Sequence, residues 1–285
     1  MYVLISPCIL NPALRTRGIT SQADREIFER AIERCRRFHI GIIPLPCPET
    51  LYLGTERAPG TYLERLDTDE FTLLLHQLGE EVRKLISTKG LPLCIIGVNS
   101  SPTCGVSSTY YGSIGGGPDK REGRGVFLKL FPEIPAIDVQ DFARFRIYLA
   151  GPLFSDAEKA YNLRISSLLQ EHWFEVYLPQ MVGDDTHCRD QEAHREIFGT
   201  HLHALENSDL VVAVIDGADA DSGTAWEMGY AYARGIPVIA IRTDFRMAGQ
   251  HERVNLMLEQ SARVIEDIMH LPGILKSPLS LGSAP

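Results

Sequence analysis

Short apolar runs separated by amphipathic helical patterns recur along the whole chain, and this alternation constrains the fold more than any other feature. The first round reads as strand at Tyr2–Ser6, helix at Ser21–Phe38, strand at Ile40–Leu45, helix at Thr68–Thr88 and strand at Leu93–Val98. Within the second helix Phe71, Leu74, Leu75, Leu78, Val82 and Leu85 fall on one face, and Asp67 or Thr68 supplies a cap. A second round begins at "RIYLAGPLF", with strands at Arg146–Ala150, Glu175–Leu178, Asp209–Ile215 and Pro237–Ile241. Its helices are expected at Asp156–Glu171, Asp190–Glu206, Thr224–Arg234 and Val254–Met269. Strands that alternate with helices pair in parallel, because each crossover returns the chain to the same end of the sheet.

The predicted fold class is therefore α/β: two layered domains, each with a mainly parallel sheet flanked by helices, the C-terminal one Rossmann-like. A chain of 285 residues is long enough for two cores. Residues 1–131 form the first domain, 132–144 a linker carrying "FPEIPAIDVQDF", 145–273 the second domain, and 274–285 a polar tail. "GSIGGGPDKREGRG", from Gly112 to Gly125, reads as a mobile glycine-rich loop. A net charge of -9 without a long basic tract excludes a broad duplex nucleic-acid footprint. A small anionic ligand stays open, since that needs only local arginines or a helix N-terminus. No apolar run reaches the length of a membrane span, and the apolar N-terminus lacks a basic leader, so it reads as a first strand. Six cysteines are too sparse for a disulfide scaffold, which points to a cytoplasmic protein whose thiols bind metal or do chemistry.

Three of those thiols share one setting. Cys8 in "YVLISPC", Cys47 in "IGIIPLPCPE" and Cys104 in "NSSPTCG" each stand just past an apolar strand. In a parallel sheet such positions converge on one crevice. Three thiolates fall short of a closed zinc site but suit an iron–sulfur cluster with one iron left open, against the alternative of three unrelated loop cysteines. Cys35, in a helix, and Cys94, inside a strand, read as small buried hydrophobes; Cys188 has no partner pattern. Glu49 is either a general acid/base or a cap of the turn after Pro48, and Ser101 either a donor to substrate or a partner of its own turn.

"SPCILNPALRTRG", "PLPCPE" and "NSSPTCG" resemble the signature segments of the thiouracil desulfidase-related family over about residues 1–130. The resemblance implies a [4Fe-4S] cluster held by Cys8, Cys47 and Cys104, with Glu49 and Ser101 as catalytic groups beside it. Arg15 and Gly18 also match. Leu14 stands where some relatives have a further cysteine, which leaves a three-ligand set.

The second half carries the most specific stretch, "SDLVVAVIDGADADSGTAWEMGYAYARGIPVIAI". A buried strand ends at Asp216, a loop passes Asp219, and Asp221 or Ser222 caps a helix that places Glu227 near the crevice mouth. Gly223 allows close approach of a sugar or phosphate. Glu227 can attack an anomeric carbon or simply favour the helix dipole. "IYLAGPLF", the long stretch above and "VNLM" resemble the nucleoside 2-deoxyribosyltransferase superfamily, which includes nucleotide N-glycosidases. The resemblance implies Glu227 as nucleophile, Asp221 as a substrate-binding carboxylate, Tyr148 positioning the nucleophile, and Asn255 delivered from a neighbouring subunit. Asp216, Ser222 and Gly223 complete the expected binding loop. His201 replaces the family's usual aspartate at the leaving base. Arg242 and Arg246 reach a 5′-phosphate or are solvated loop charges.

Both resemblances point to nucleobases. The expected function is desulfurisation of a thiolated pyrimidine base, nucleoside or nucleotide at the cluster, coupled to a nucleoside-binding and N-glycosidic-bond-cleaving domain, in a dimer or higher homo-oligomer. The alternatives are a nucleotide sensor with a non-catalytic cluster, or a zinc-stabilised N-glycosidase or deoxyribosyltransferase.

Overall fold

The computed structural model describes residues 1–112, 120–182, 191–247, 249 and 252–276. The chain divides into two units, Met1–Ala143, to which Lys276 also belongs, and Arg144–Leu275.

The first unit has strands β1 (Tyr2–Ile5), β2 (Gly41–Pro44), β3 (Ile95–Gly97), β4 (Ser108–Tyr110), β5 (Lys120–Glu122) and β6 (Ala136–Asp138). Four of them form a parallel sheet in the order β2-β1-β3-β6, and β4 and β5 pair antiparallel beside it in sequence. Local chemistry sets the helices. Ser21 and Asp24 form a reciprocal capping box at the start of the Gln22–Arg37 helix, and Arg34, Arg36 and Arg37 lie in its last turn, where the dipole favours cations. Thr68 caps the Asp69–Lys89 helix by accepting from the Phe71 N–H at 3.1 Å. That helix buries Phe71, Leu75, Leu78 and Val82 against Tyr2, Leu4 and Ile95 of the sheet and against Phe127 and Phe131. Full burial of each such side chain contributes about 1.5–3 kcal/mol.

The second unit holds β7 (Arg146–Ala150), β8 (Glu175–Tyr177), β9 (Leu210–Val214), β10 (Val238–Ile241) and β11 (Arg263–Ile265), all parallel, in the order β11-β10-β9-β7-β8. Its core joins Tyr148, Ala150, Val211, Ala213 and Ala240 of the strands to Leu205, Met228 and Ala231 of the helices. Asp209 ties the start of β9 to the start of β7, its Oδ2 accepting from the Phe145 and Arg146 N–H groups at 3.0 and 2.9 Å. In each unit the strand order reverses direction beside the first strand, at β1/β3 and at β7/β9. In open parallel sheets ligands bind outside the carboxyl ends at such a point.

Three expectations are corrected. The 132–144 stretch is not a bare linker: β6 adds to β3 there, Asp138 caps the short Val139–Phe142 helix, and Phe142 is fully buried. A three-residue strand directly after a proline is too brief to show a period of two. The continuous Val254–Met269 helix is replaced by a Leu256–Ser261 helix, β11 and a 3-10 turn at Ile268–His270. Here β-branched Val264 and Ile265 pair with β10, and tertiary pairing overrides the helical spacing. The Gly112–Gly125 loop contains β5; residues 113–119 of it lie outside the described residues, as do Cys188 and the tail beyond Lys276. Cys35 and Cys94 are fully buried.

Gly97 ends β3 where the Cys104 loop folds back over it. A Cβ at Gly97 stands 2.4 Å from the Cys104 carbonyl oxygen and 2.6 Å from Val106 Cγ2. Gly97→Ala must therefore push that loop away, at a cost of about 1–3 kcal/mol. Urea unfolding followed by tryptophan-independent far-UV dichroism is expected to show the lowered midpoint.

Candidate active sites

In the second unit the helix Ser222–Ala233 follows β9 through a loop that turns at Gly217, where φ is +123°. Asp221 is its N-cap, with Oδ2 accepting from the Thr224 N–H at 3.0 Å. Ser222 and Gly223 form its exposed first positions. Glu227 lies in the second turn and is partly buried. Tyr148, fully buried in β7, donates from its hydroxyl to Glu227 Oε1 at 2.5 Å. Burial pushes the Glu227 carboxyl up to about 7, and the charge of Asp221 adds to this, while the hydrogen bond from Tyr148 opposes it. Burial, then the nearby Glu227 charge, push the Tyr148 phenol far above its ordinary range. A carboxylate poised near neutrality beside a phenol is suited to covalent or acid–base work.

Residues 147–266 match the nucleoside 2-deoxyribosyltransferase family. The C-terminal unit is of that family. The chain is similar to an uncharacterized protein of Methanocaldococcus jannaschii, 31% identical over 106 residues, or 36% of this chain and 66% of the relative. It is also similar to a Thermofilum pendens protein provisionally named a 2′-deoxynucleoside 5′-phosphate N-hydrolase, 28% identical over 97 residues, or 34% of this chain and 66% of the relative. The chain thus spans just under two thirds of the length of both curated relatives. Among solved structures, a 2-deoxyribosyltransferase from Bacillus psychrosaccharolyticus matches at 25% identity and a TM-score of 0.40, covering 44% of this chain and 89% of that one.

Around Glu227 the other expected residues take different parts. His201 is partly buried, with Nδ1 2.8 Å from the Tyr177 hydroxyl. Tyr177 in turn stacks on Tyr148, the ring centroids 5.4 Å apart. Asp216, expected in the binding loop, is tied to the segment after β10. Its Oδ1 accepts from the Thr243 and Asp244 N–H groups at 2.6 and 2.8 Å, and its Oδ2 from the Thr243 hydroxyl at 2.6 Å. Asp219 accepts from the Ala220 N–H on the exposed loop. Arg242 is neither solvated nor aimed outward: it is buried, donating to the carbonyls of Ile215 and Gly217 at 2.6 and 2.7 Å and to that of Arg246. Arg246 is exposed and pairs with Asp244. Asn255 caps its own helix, Oδ1 accepting from the Met257 N–H at 3.0 Å.

In the first unit Cys8 sits in the Pro7–Leu10 turn after β1, Cys47 stands directly before the Pro48–Leu53 helix after β2, and Cys104 lies in the loop after β3. All three line one cavity of about 660 Å³, together with Glu49, Ser101, Arg15 and Arg57. Burial pushes the Cys8 thiol up to about 12, with the neighbouring Cys47 adding and Arg15 opposing. Burial, then Cys47 and Cys8, push Cys104 higher still. Burial and the neighbouring sulfurs thus disfavour the thiolate forms of Cys8 and Cys104. A cationic metal group compensates such a set, so the donor chemistry fits one. Among the described residues no three His, Cys, Asp or Glu side chains are grouped to hold a single metal ion.

Glu49 is not a cap of its own turn. Its Oε1 accepts from the Ser101 and Thr103 hydroxyls at 3.0 and 2.7 Å, and its Oε2 lies 3.5 Å from Arg57 Nε. Ser101 Oγ also accepts from the Cys104 N–H at 3.0 Å. Arg57 donates to the Leu14 carbonyl at 2.7 Å and to Thr50 Oγ1 at 3.1 Å, so the polar knot links all three thiol-bearing segments. Arg57, Thr103 and Tyr177 escaped the sequence reading. Only Tyr177 left a trace there, as an aromatic at a strand end.

The Tyr148 hydrogen bond lowers the proton affinity of Glu227, so its loss acts in one direction. Tyr148→Phe is expected to raise the Glu227 midpoint above the wild-type value of about 7. Carbon-13 NMR titration of the labelled carboxyl measures it; an unchanged or lowered midpoint contradicts the assignment.

Proposed function

We propose that the C-terminal unit cleaves the N-glycosidic bond of a 2′-deoxynucleoside or its 5′-monophosphate, with Glu227 attacking C1′. The observation that carries this reading is the partly buried Glu227 carboxylate held by the Tyr148 hydroxyl. Attack forms a Glu227–sugar ester as the C1′–N electron pair leaves with the base, and His201 supplies the base with a proton. Water then releases free sugar, or a second base takes it up. Asp221 Oδ1, which has no part in the cap, is assigned to a sugar hydroxyl. The name of the Thermofilum pendens relative supports including 5′-monophosphates among the candidates. Because the attacking group must be ionised, base release is expected to rise as pH passes about 7. Asn255 and the exposed Leu256 and Met257 beside it form the contact of a homo-oligomer in this reading, and sedimentation as a monomer at full activity removes that part of it.

A second reading concerns the first unit, favoured by three thiols, Glu49 and Ser101 around one cavity. It is desulfurisation of a thiolated pyrimidine. A [4Fe-4S] cluster held by Cys8, Cys47 and Cys104 would supply a soft open iron that binds a thiocarbonyl sulfur. Glu49, steadied by Arg57, Ser101 and Thr103, would move the proton as sulfur is exchanged for oxygen.

One experiment separates the two. Anaerobically purified protein is given thymidine, dUMP and dCMP with assay of free base, and 2-thiouracil with assay of sulfide. Glu227→Ala is expected to lower base release by orders of magnitude and to leave sulfide release nearly unchanged. Cys104→Ser is expected to do the reverse. Wild-type protein that frees no base from any of the three substrates removes the first reading; absence of sulfide with 2-thiouracil removes the second.

A further inference from the structure

Glu227 and His201 stand at the two ends of a row of tyrosines, and Tyr177 lies between them. The row is a product of register: Tyr148 on β7 and Tyr177 on β8 are direct partners in the parallel ladder, so their side chains rise on the same face. Their rings stack at 5.4 Å and 20°. Tyr177 and His201 meet edge-on at 5.9 Å and 75°, with the phenol oxygen 2.8 Å from Nδ1. The carboxylate that attacks and the imidazole that is protonable are therefore connected through one phenol of no assigned role.

We propose that Tyr177 is a positioning residue for His201: its oxygen accepts the Nδ1–H of the charged imidazole and so directs the Nε2 proton to the departing base. The inference rests on the base-release reading. In a charged imidazole both nitrogens are donors, so a phenol against Nδ1 must present its oxygen as acceptor. As the C1′–N bond breaks, its electron pair goes to the base, Glu227 bonds to C1′, and the Nε2 proton passes to the base. His201 is left neutral with its remaining proton on Nδ1, still bonded to Tyr177. Burial, then the charge of Glu227, push the Tyr177 phenol upward, which keeps it protonated and thus an unchanging partner through the cycle. An orienting partner on the second ring nitrogen is the usual means of fixing an imidazole.

The test compares 2′-deoxyuridine with 5-fluoro-2′-deoxyuridine, nearly equal in shape, the fluorinated base being the more acidic and needing less protonation. In the full chain, Tyr177→Phe is expected to lower kcat about tenfold on deoxyuridine and only about twofold on the fluoro compound, with KM unchanged. His201→Gln should give the same selective loss, larger in size. The nitrogen-15 NMR signal of His201 Nδ1 should move in Tyr177→Phe. Equal losses on both substrates, no loss at all, or an unmoved Nδ1 signal each overturn the proposal. Wild-type protein inactive on both nucleosides defeats the base-release reading instead, and the Nδ1 signal then still decides whether Tyr177 positions the ring.

Discussion

The hydrogen bond from Tyr148 to Glu227 is the contact on which the chemistry proposed for the second unit depends. It joins a strand interior to the second turn of a helix that starts after a different strand, and neither partner is placed by its own element alone. Asp209 fixes β7 against β9, Asp221 fixes where the helix begins, and 3.6 residues per turn then carry Glu227 back over the sheet. Removing any of these supports moves the carboxylate relative to the phenol. The cost of desolvating the carboxylate is accepted because a proton affinity near neutrality is the useful property.

The first unit solves a related problem with different parts. Three thiols arrive from three separate strand ends, and Glu49 with Arg57 holds their segments in place through hydroxyls and carbonyls. Gly97 matters to the same end, since the Cys104 loop rests directly on β3 where a side chain would stand. The cavity is thus shaped by backbone contacts and polar links within the chain itself.

Much of this was legible in the sequence. Long apolar strands such as "DLVVAV" and the cap at Asp221 could be read from residue type and spacing, because those features are local, whereas the pairing of Tyr148 with Glu227, 79 residues apart, came only from the family resemblance. The three-residue strands β6 and β11 could not, since so few residues carry no period and only a neighbouring strand completes them. Tyr177 depended on register, and Arg57 on a fold that brings "GTERAPG" back to Leu14. The backbone partners of Asp216 and Arg242 were hidden for one reason. Both sit at strand ends among loop-like residues, and nothing local tells a charge that binds a turn's backbone from one that meets a ligand.

Each parallel sheet ends in strands that offer little to a stranger. The β2 edge finishes in Pro44, which has no N–H to give, while β6, β8 and β11 are three residues long. Short or proline-marked borders deny another chain the row of unpaired amides and carbonyls it would need to lengthen the sheet. Fibril-like growth by strand addition is blunted at both borders of both sheets. Any ordered self-association is left to helical and loop faces, where shape and side-chain identity, rather than bare backbone, select the partner.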